Sequence, residues 1–125
     1  MGKPKLSFRG CRADDEDAIL PHGGEYMWLA AELADSLDRT DLATEIRDIL
    51  RDPATRDENG EATFPLERVA ALHGLMTTVA ALLRAAPETW AEPLGDYPLS
   101  RVEVVAEYLK SALERGVEVD HGRYT

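Results

Sequence analysis

The sequence predicts an all-α protein, a compact bundle of about four principal helices, and allows a minor strand pairing at the termini. Four segments carry apolar residues at helical spacing, and stretches rich in glycine and proline separate them. The chain has 125 residues and no internal repeat, which is long enough to bury a core without disulfides or metals. We therefore expect a single acidic helical domain over 1–125.

The first two helices are predicted to follow an irregular N-terminal segment, residues 1–24. The first covers 25–38, and its apolar stripe is Tyr26, Leu29, Ala30, Leu33 and Leu37. The second begins at the N-cap Thr40 and ends before Pro53, with Leu42, Ile46, Ile49 and Leu50 at the i, i+4, i+7, i+8 spacing. Since almost no linker separates them, we expect an antiparallel or sharply bent pair.

The second half of the chain predicts two more helices after an exposed loop, residues 52–64. The third covers 66–86, and its uncharged window, 69–83, is shorter than the ~20 residues of a membrane span, which favours a central buried helix. In the fourth, Ser100 and Glu103 form a capping-box pattern and Gly116 suits the C-cap. The short alternating stretches KLSF and VEV (117–119) could pair as strands.

The charge distribution limits the class of partner. The net charge is −10, and residues 14–125 hold all 24 acids against ten Lys and Arg. Such a field repels nucleic acid and anionic lipid and attracts basic surfaces. The sequence therefore predicts a partner protein with a basic surface, no direct nucleic-acid binding and no membrane association.

Cysteine content and overall composition bear on location and source. Cys11 is the only cysteine, so neither an intrachain disulfide nor a multi-cysteine zinc site is expected. The chain opens without the apolar run of a signal peptide, so we expect a cytoplasmic protein. Arginine outnumbers lysine 11 to 3 and glutamine is absent, which is typical of GC-rich bacterial or phage coding.

Four consecutive acids precede the first helix: Asp14, Asp15, Glu16 and Asp17. Consecutive carboxylates point in different directions, whereas a tight cation site needs oxygens that converge. The run therefore favours a solvated or partner-attracting surface over a metal site. Gly23 and Gly24 follow His22 in a predicted turn that lacks the strand and spacing of a phosphate-binding loop. Neither a cofactor nor a catalytic residue is predicted.

Paired carboxylates on the first two helices suggest an alternative function. Glu32 and Asp35, and likewise Glu45 and Asp48, have the E-x-x-D spacing that places two carboxylates one turn apart. This pattern resembles the MazG-type all-α nucleotide pyrophosphohydrolases, and the resemblance covers about 20 residues and implies Mg²⁺ bound by these four acids. Glu32 and Asp35 lie opposite the apolar stripe of their helix, which departs from a converging site.

Trp28 breaks the pattern of the first helix, because it falls among Glu32 and Asp35 on the polar face. Aromatic side chains surrounded by charges are common anchors of protein interfaces. The alternative is that the N-terminal segment or the 87–98 loop covers it. We expect a small acidic interaction module, of inhibitor, immunity, antitoxin-like or phage anti-defence type, rather than an enzyme. Its predicted contact residues are Trp28, Glu32, Asp35 and the acids 14–17.

Overall fold

The computed structural model describes residues 6–8, 19–20, 23–52, 62–86, 97–116 and 118–121. Within these ranges the helices are α1 (Gly23–Ser36), α2 (Thr40–Arg51), α3 (Leu66–Ala85) and α4 (Tyr97–Arg115). The strands are short: β1 (Leu6–Phe8), β2 (Ile19–Leu20), β3 (Ala62–Phe64) and β4 (Val119–His121). The predicted all-α bundle of four principal helices with minor strand pairing is confirmed.

The core forms around α3, which packs most extensively against α4 and also contacts α1, α2 and β3. Its buried side chains are Val69, Leu72, Leu75, Met76, Val79, Ala80 and Leu83. The predicted packing residues of the other helices are also in the core: Leu33, Ile46, Ile49, Val105 and Leu109 are buried, and Leu37 is half-buried. By length and composition α3 would also suit a membrane span, although much of its apolar surface is inside the bundle.

The buried face of α1 differs from the predicted stripe. The buried side chains are Met27, Ala30, Ala31, Leu33 and Ala34, whereas Tyr26 and Leu29 are only half-buried. Alanine methyl groups fit where two helix backbones approach closely, so the alanine-rich face turns inward and the larger side chains lie at its flanks. This rotation also moves Trp28 towards the edge of the core.

A tight cap joins α1 to α2. Asp38 has a φ of 61°, in the left-handed region that favours glycine. The Arg39 N–H donates to the Ala34 carbonyl at 2.8 Å and the Asp38 N–H to the Asp35 carbonyl at 3.1 Å, which is the Schellman pattern. Because the chain turns within these residues, Thr40 lies inside α2, and the N-cap residue is Arg39 instead of the predicted Thr40.

The start of α4 is also earlier than predicted. It begins at Tyr97, so Ser100 lies inside the first turn, and Glu103 forms an ion pair with Arg84 of α3. Pro98 is tolerated in a first turn because that turn leaves its backbone nitrogens without intrahelical acceptors. The predicted C-cap is present at Gly116, which has a φ of 65°.

The strands form one sheet of order β2-β1-β4-β3. The predicted terminal pairing is present, because β1 runs parallel to β4 with Leu6 opposite Val119. Two predicted irregular regions need correction. Phe64, at the end of the predicted exposed loop 52–64, is fully buried in β3, and the N-terminal segment 1–24 contributes β1, β2 and the first residues of α1. Residues 53–61 lie outside the described part of the chain.

Candidate functional site

The negative charge of the described helices is concentrated on the α1–α2 pair. Residues 23–52 hold eight Asp and Glu against three Arg. Residues 62–86 and 97–116, which contain α3 and α4, hold four acids against five Lys and Arg. A basic molecule that approaches the bundle therefore meets an attractive potential at α1–α2 and a nearly neutral surface at α3–α4.

Most of the acids on this pair are open to solvent. Glu32, Asp38, Glu45 and Asp48 are exposed, and none of them forms an ion pair with another residue in the described ranges. We call these four residues the acidic face. Their charge is therefore available to an external partner.

Asp41 is exposed as well, but its charge is already compensated. Its two carboxylate oxygens accept hydrogen bonds from Arg39 Nε at 3.0 Å and from an Arg39 terminal nitrogen at 2.9 Å. This bidentate contact lowers the pKa of the Asp41 carboxyl below its ordinary value and raises the pKa of Arg39. Because Arg39 balances its charge, Asp41 contributes less to the external field than each carboxylate of the acidic face does.

Trp28 is half-buried and packs against the core cluster. The guanidinium carbon of Arg51, at the end of α2, lies 5.0 Å from the centroid of the Trp28 ring, which is within the range of a cation–π contact. Trp28 is therefore neither a free aromatic group nor a fully enclosed one. Both segments expected to cover it, 1–24 and 87–98, lie mostly outside the described residues.

Asp35, one of the predicted contact residues, forms an ion pair inside the α1–α2 pair. Its carboxylate is 2.8 Å from a terminal nitrogen of Arg47 on α2, and both side chains are partly buried. Arg47 and Arg51 are one turn apart on α2. Arg47 contacts Asp35 of α1, and Arg51 contacts Trp28 of α1. Among the predicted contact residues that the structure describes, Glu32 is exposed, whereas Asp35 and Trp28 also join α1 to α2.

The four acids of the alternative hydrolase hypothesis, Glu32, Asp35, Glu45 and Asp48, all lie within the described residues. Throughout the described ranges no three His, Cys, Asp or Glu side chains are grouped as metal ligands. Asp35 is paired with Arg47, while Glu32, Glu45 and Asp48 are exposed. Mg²⁺ binding by the two E-x-x-D pairs therefore stays a prediction of the sequence. The acids 14–17 lie outside the described residues.

Sequence reasoning missed a groove of about 350 Å³ between α3 and α4. Its walls carry His73, Thr77 and Arg84 from α3 and Glu103, Glu107 and Lys110 from α4, and the methyl groups of Ala80 and Ala106 lie between them. His73 Nε2 and Thr77 Oγ1 are 3.5 Å apart. The i, i+4, i+7, i+11 spacing of the α3 residues was visible in the sequence, but the way they face α4 was not.

No protein-family model matches this chain, and no curated protein or solved structure matches it significantly.

Proposed function

We propose that this protein is an acidic interaction module that binds the basic surface of another protein through the outer side of α1–α2. The observation that supports this proposal is the acidic face, four exposed carboxylates without an ion-pair partner among the described residues. A field of one sign raises the rate at which an oppositely charged partner is captured, and its effect declines as salt screens it.

Glu32 and Trp28 would make the short-range contacts. They are one turn apart on α1, so a partner that binds Glu32 with Lys or Arg also meets the exposed part of the Trp28 ring. Aromatic side chains at the edge of a charged surface contribute contact area that does not depend on salt. Asp35 would take part while it keeps Arg47 in place, and the acids 14–17 would extend the attracting field.

Within this class, an inhibitor, an immunity or antitoxin-like protein, or a phage anti-defence factor suits the small size and the acidity of the chain. Each acts by covering a functional surface of its target, and a basic target surface is typical of proteins that handle nucleic acids. We therefore propose a cytoplasmic bacterial or phage setting and a nucleic-acid-binding protein as the type of target.

The test compares two variants with equal changes in net charge. The variant Glu32→Gln/Glu45→Gln removes two charges from the acidic face, and the control Glu67→Gln/Glu114→Gln removes two exposed charges from α3 and α4. Wild-type protein and both variants are immobilised and exposed to an extract of the native host, and retained proteins are identified by mass spectrometry. The association rate of the retained partner is then measured for each.

A basic protein should be retained by the wild type and by the control. Its association rate at low salt should fall by about tenfold in the acidic-face variant, since steering changes on-rates by roughly 10- to 1,000-fold in charged complexes. Salt at about 1 M, where the Debye length is about 3 Å, should release most of it. Retention that is equal in both variants, or that does not respond to salt, would show that the acidic face is not the binding surface.

A further inference from the structure

The α3–α4 groove is a second surface with the features of a binding site, on helices that do not carry the acidic face. Its volume of about 350 Å³ is in the range of small-molecule sites. The groove follows two antiparallel helices, because Arg84 near the end of α3 pairs with Glu103 near the start of α4. Ala80 and Ala106 supply an apolar floor between polar walls.

The two ends of the groove differ in how their charges are used. At one end Arg84 and Glu103 neutralise each other. At the other end, neither Glu107 nor Lys110 forms an ion pair within the described part of the chain, although both line the groove and are exposed. One anionic and one cationic group are therefore available there.

The charge balance decides which kind of ligand fits. Arg84 and Lys110 balance Glu103 and Glu107, so the Lys, Arg and Glu side chains that line the groove sum to a net charge of zero. A simple anion would be attracted by Lys110 but repelled by Glu107. A metal cation would be attracted by Glu107 but repelled by Lys110. A ligand that carries both charges satisfies both groups.

We propose that this groove binds a small zwitterion, specifically a free α-amino acid with an apolar side chain. Glu107 and Lys110 are one turn apart on α4, where Cβ atoms are about 5–6 Å apart, so they can receive the ammonium and the carboxylate of one ligand. Thr77 and His73 supply further polar groups on the facing wall. The ligand side chain lies over Ala80 and Ala106.

L-leucine is the probe, and binding is followed by the backbone amide NMR shifts of Thr77, Ala80 and Ala106 in the full chain. Two analogues separate the charges: 4-methylpentanoate lacks the ammonium group, and 3-methylbutylamine lacks the carboxylate. The variants Glu107→Gln and Lys110→Gln each remove one group from the groove. Glu114→Gln and Arg115→Gln, exposed positions of α4 that do not line the groove, are the matched controls.

Saturable shifts at the three amides with L-leucine would support the proposal. Each groove variant should weaken binding by about tenfold, the loss expected for one charge-assisted hydrogen bond, while both controls bind as the wild type does. Far-UV circular dichroism checks that each variant is folded.

Three results would overturn the proposal. The first is the absence of saturable shifts with L-leucine at concentrations up to about 50 mM, where even a millimolar site would be occupied. The second is equal binding of 4-methylpentanoate, which would make the groove a simple anion site. The third is shifts spread over the whole surface and unchanged in the groove variants, which would show non-specific association.

Discussion

Replacing Trp28 by alanine should lower the free energy of unfolding by about 2 kcal/mol. A fully buried Trp→Ala change costs about 3–5 kcal/mol, and the half-buried ring of Trp28 loses only part of that contact. The cation–π contact with Arg51 adds about 0.5–1 kcal/mol at a partly exposed site. The mutation therefore tests whether Trp28 supports the bundle or serves only a partner.

Urea denaturation followed by far-UV circular dichroism measures this loss. A double-mutant cycle with Arg51→Gln isolates the contact between the two residues, and its coupling energy should be about 0.5–1 kcal/mol. The pair Trp28→Ala and Arg39→Gln is the control. Arg39 bonds to Asp41 at the other end of α2, so this second cycle should show no coupling beyond the error of the measurement.

A loss below about 0.5 kcal/mol for Trp28→Ala would refute the reasoning, because changes of that size are typical of surface positions without packing. The ring would then be a docking group only. A loss near the expected value would require a milder substitution, such as Trp28→Phe, in any measurement of partner binding, so that altered affinity is not confused with altered stability.

Two further predictions concern the α1–α2 connection. Asp38→Gly should stabilise the protein by about 1 kcal/mol in thermal unfolding, because glycine adopts the positive φ without a steric cost. Asp38→Asn should give only part of that gain, by removing a negative charge from the helix C-terminus, and a loss with glycine would contradict the cap. Arg39→Gln should raise the pKa of the Asp41 carboxyl towards its ordinary value in an NMR titration. Because the pKa of Asp41 is lowered in the folded state, the Arg39–Asp41 pair stabilises the fold at pH values above the ordinary carboxyl pKa. This contribution is lost as the pH falls through the lowered pKa. An unchanged titration midpoint in Arg39→Gln would show that the contact does not persist in solution.

Periodicity predicted the helices because each buries a continuous stripe, and the breaks between the stripes coincide with glycine, proline or a capped turn. It misjudged α1, where alanine has little weight on a hydrophobicity wheel although three alanines are buried. Which face of α1 turns inward depends on the helices that pack against it, α2, α4 and α3, and that packing is a tertiary property. The sheet was only partly predicted, because β2 has two residues, too few to show a pattern, and β3 lies at the end of the polar stretch 52–64, which masks it.

The candidate surfaces were predictable to different degrees. The acidic excess of α1–α2 can be counted in the sequence, but the contacts that compensate part of it cannot be read there. Asp35 and Arg47 neutralise each other across two helices. Arg51 contacts Trp28, which lies 23 positions earlier in the chain. The groove depends on how α3 and α4 are rotated relative to each other. No spacing within either helix determines that rotation.

The order of the strands in the sheet has a consequence for folding during synthesis. Among the described strands every pairing includes β1 or β4, and these two strands form the centre of the sheet. Their paired residues Leu6 and Val119 are 113 positions apart in the sequence. On the ribosome α1, α2 and α3 can associate through short-range contacts before β4 is available. Until then β1 cannot pair with β4, and β3 cannot join the sheet because it pairs with β4. The four-stranded sheet should therefore close only after β4 has left the ribosome, and it should be the slowest part of the fold to acquire protection from hydrogen exchange.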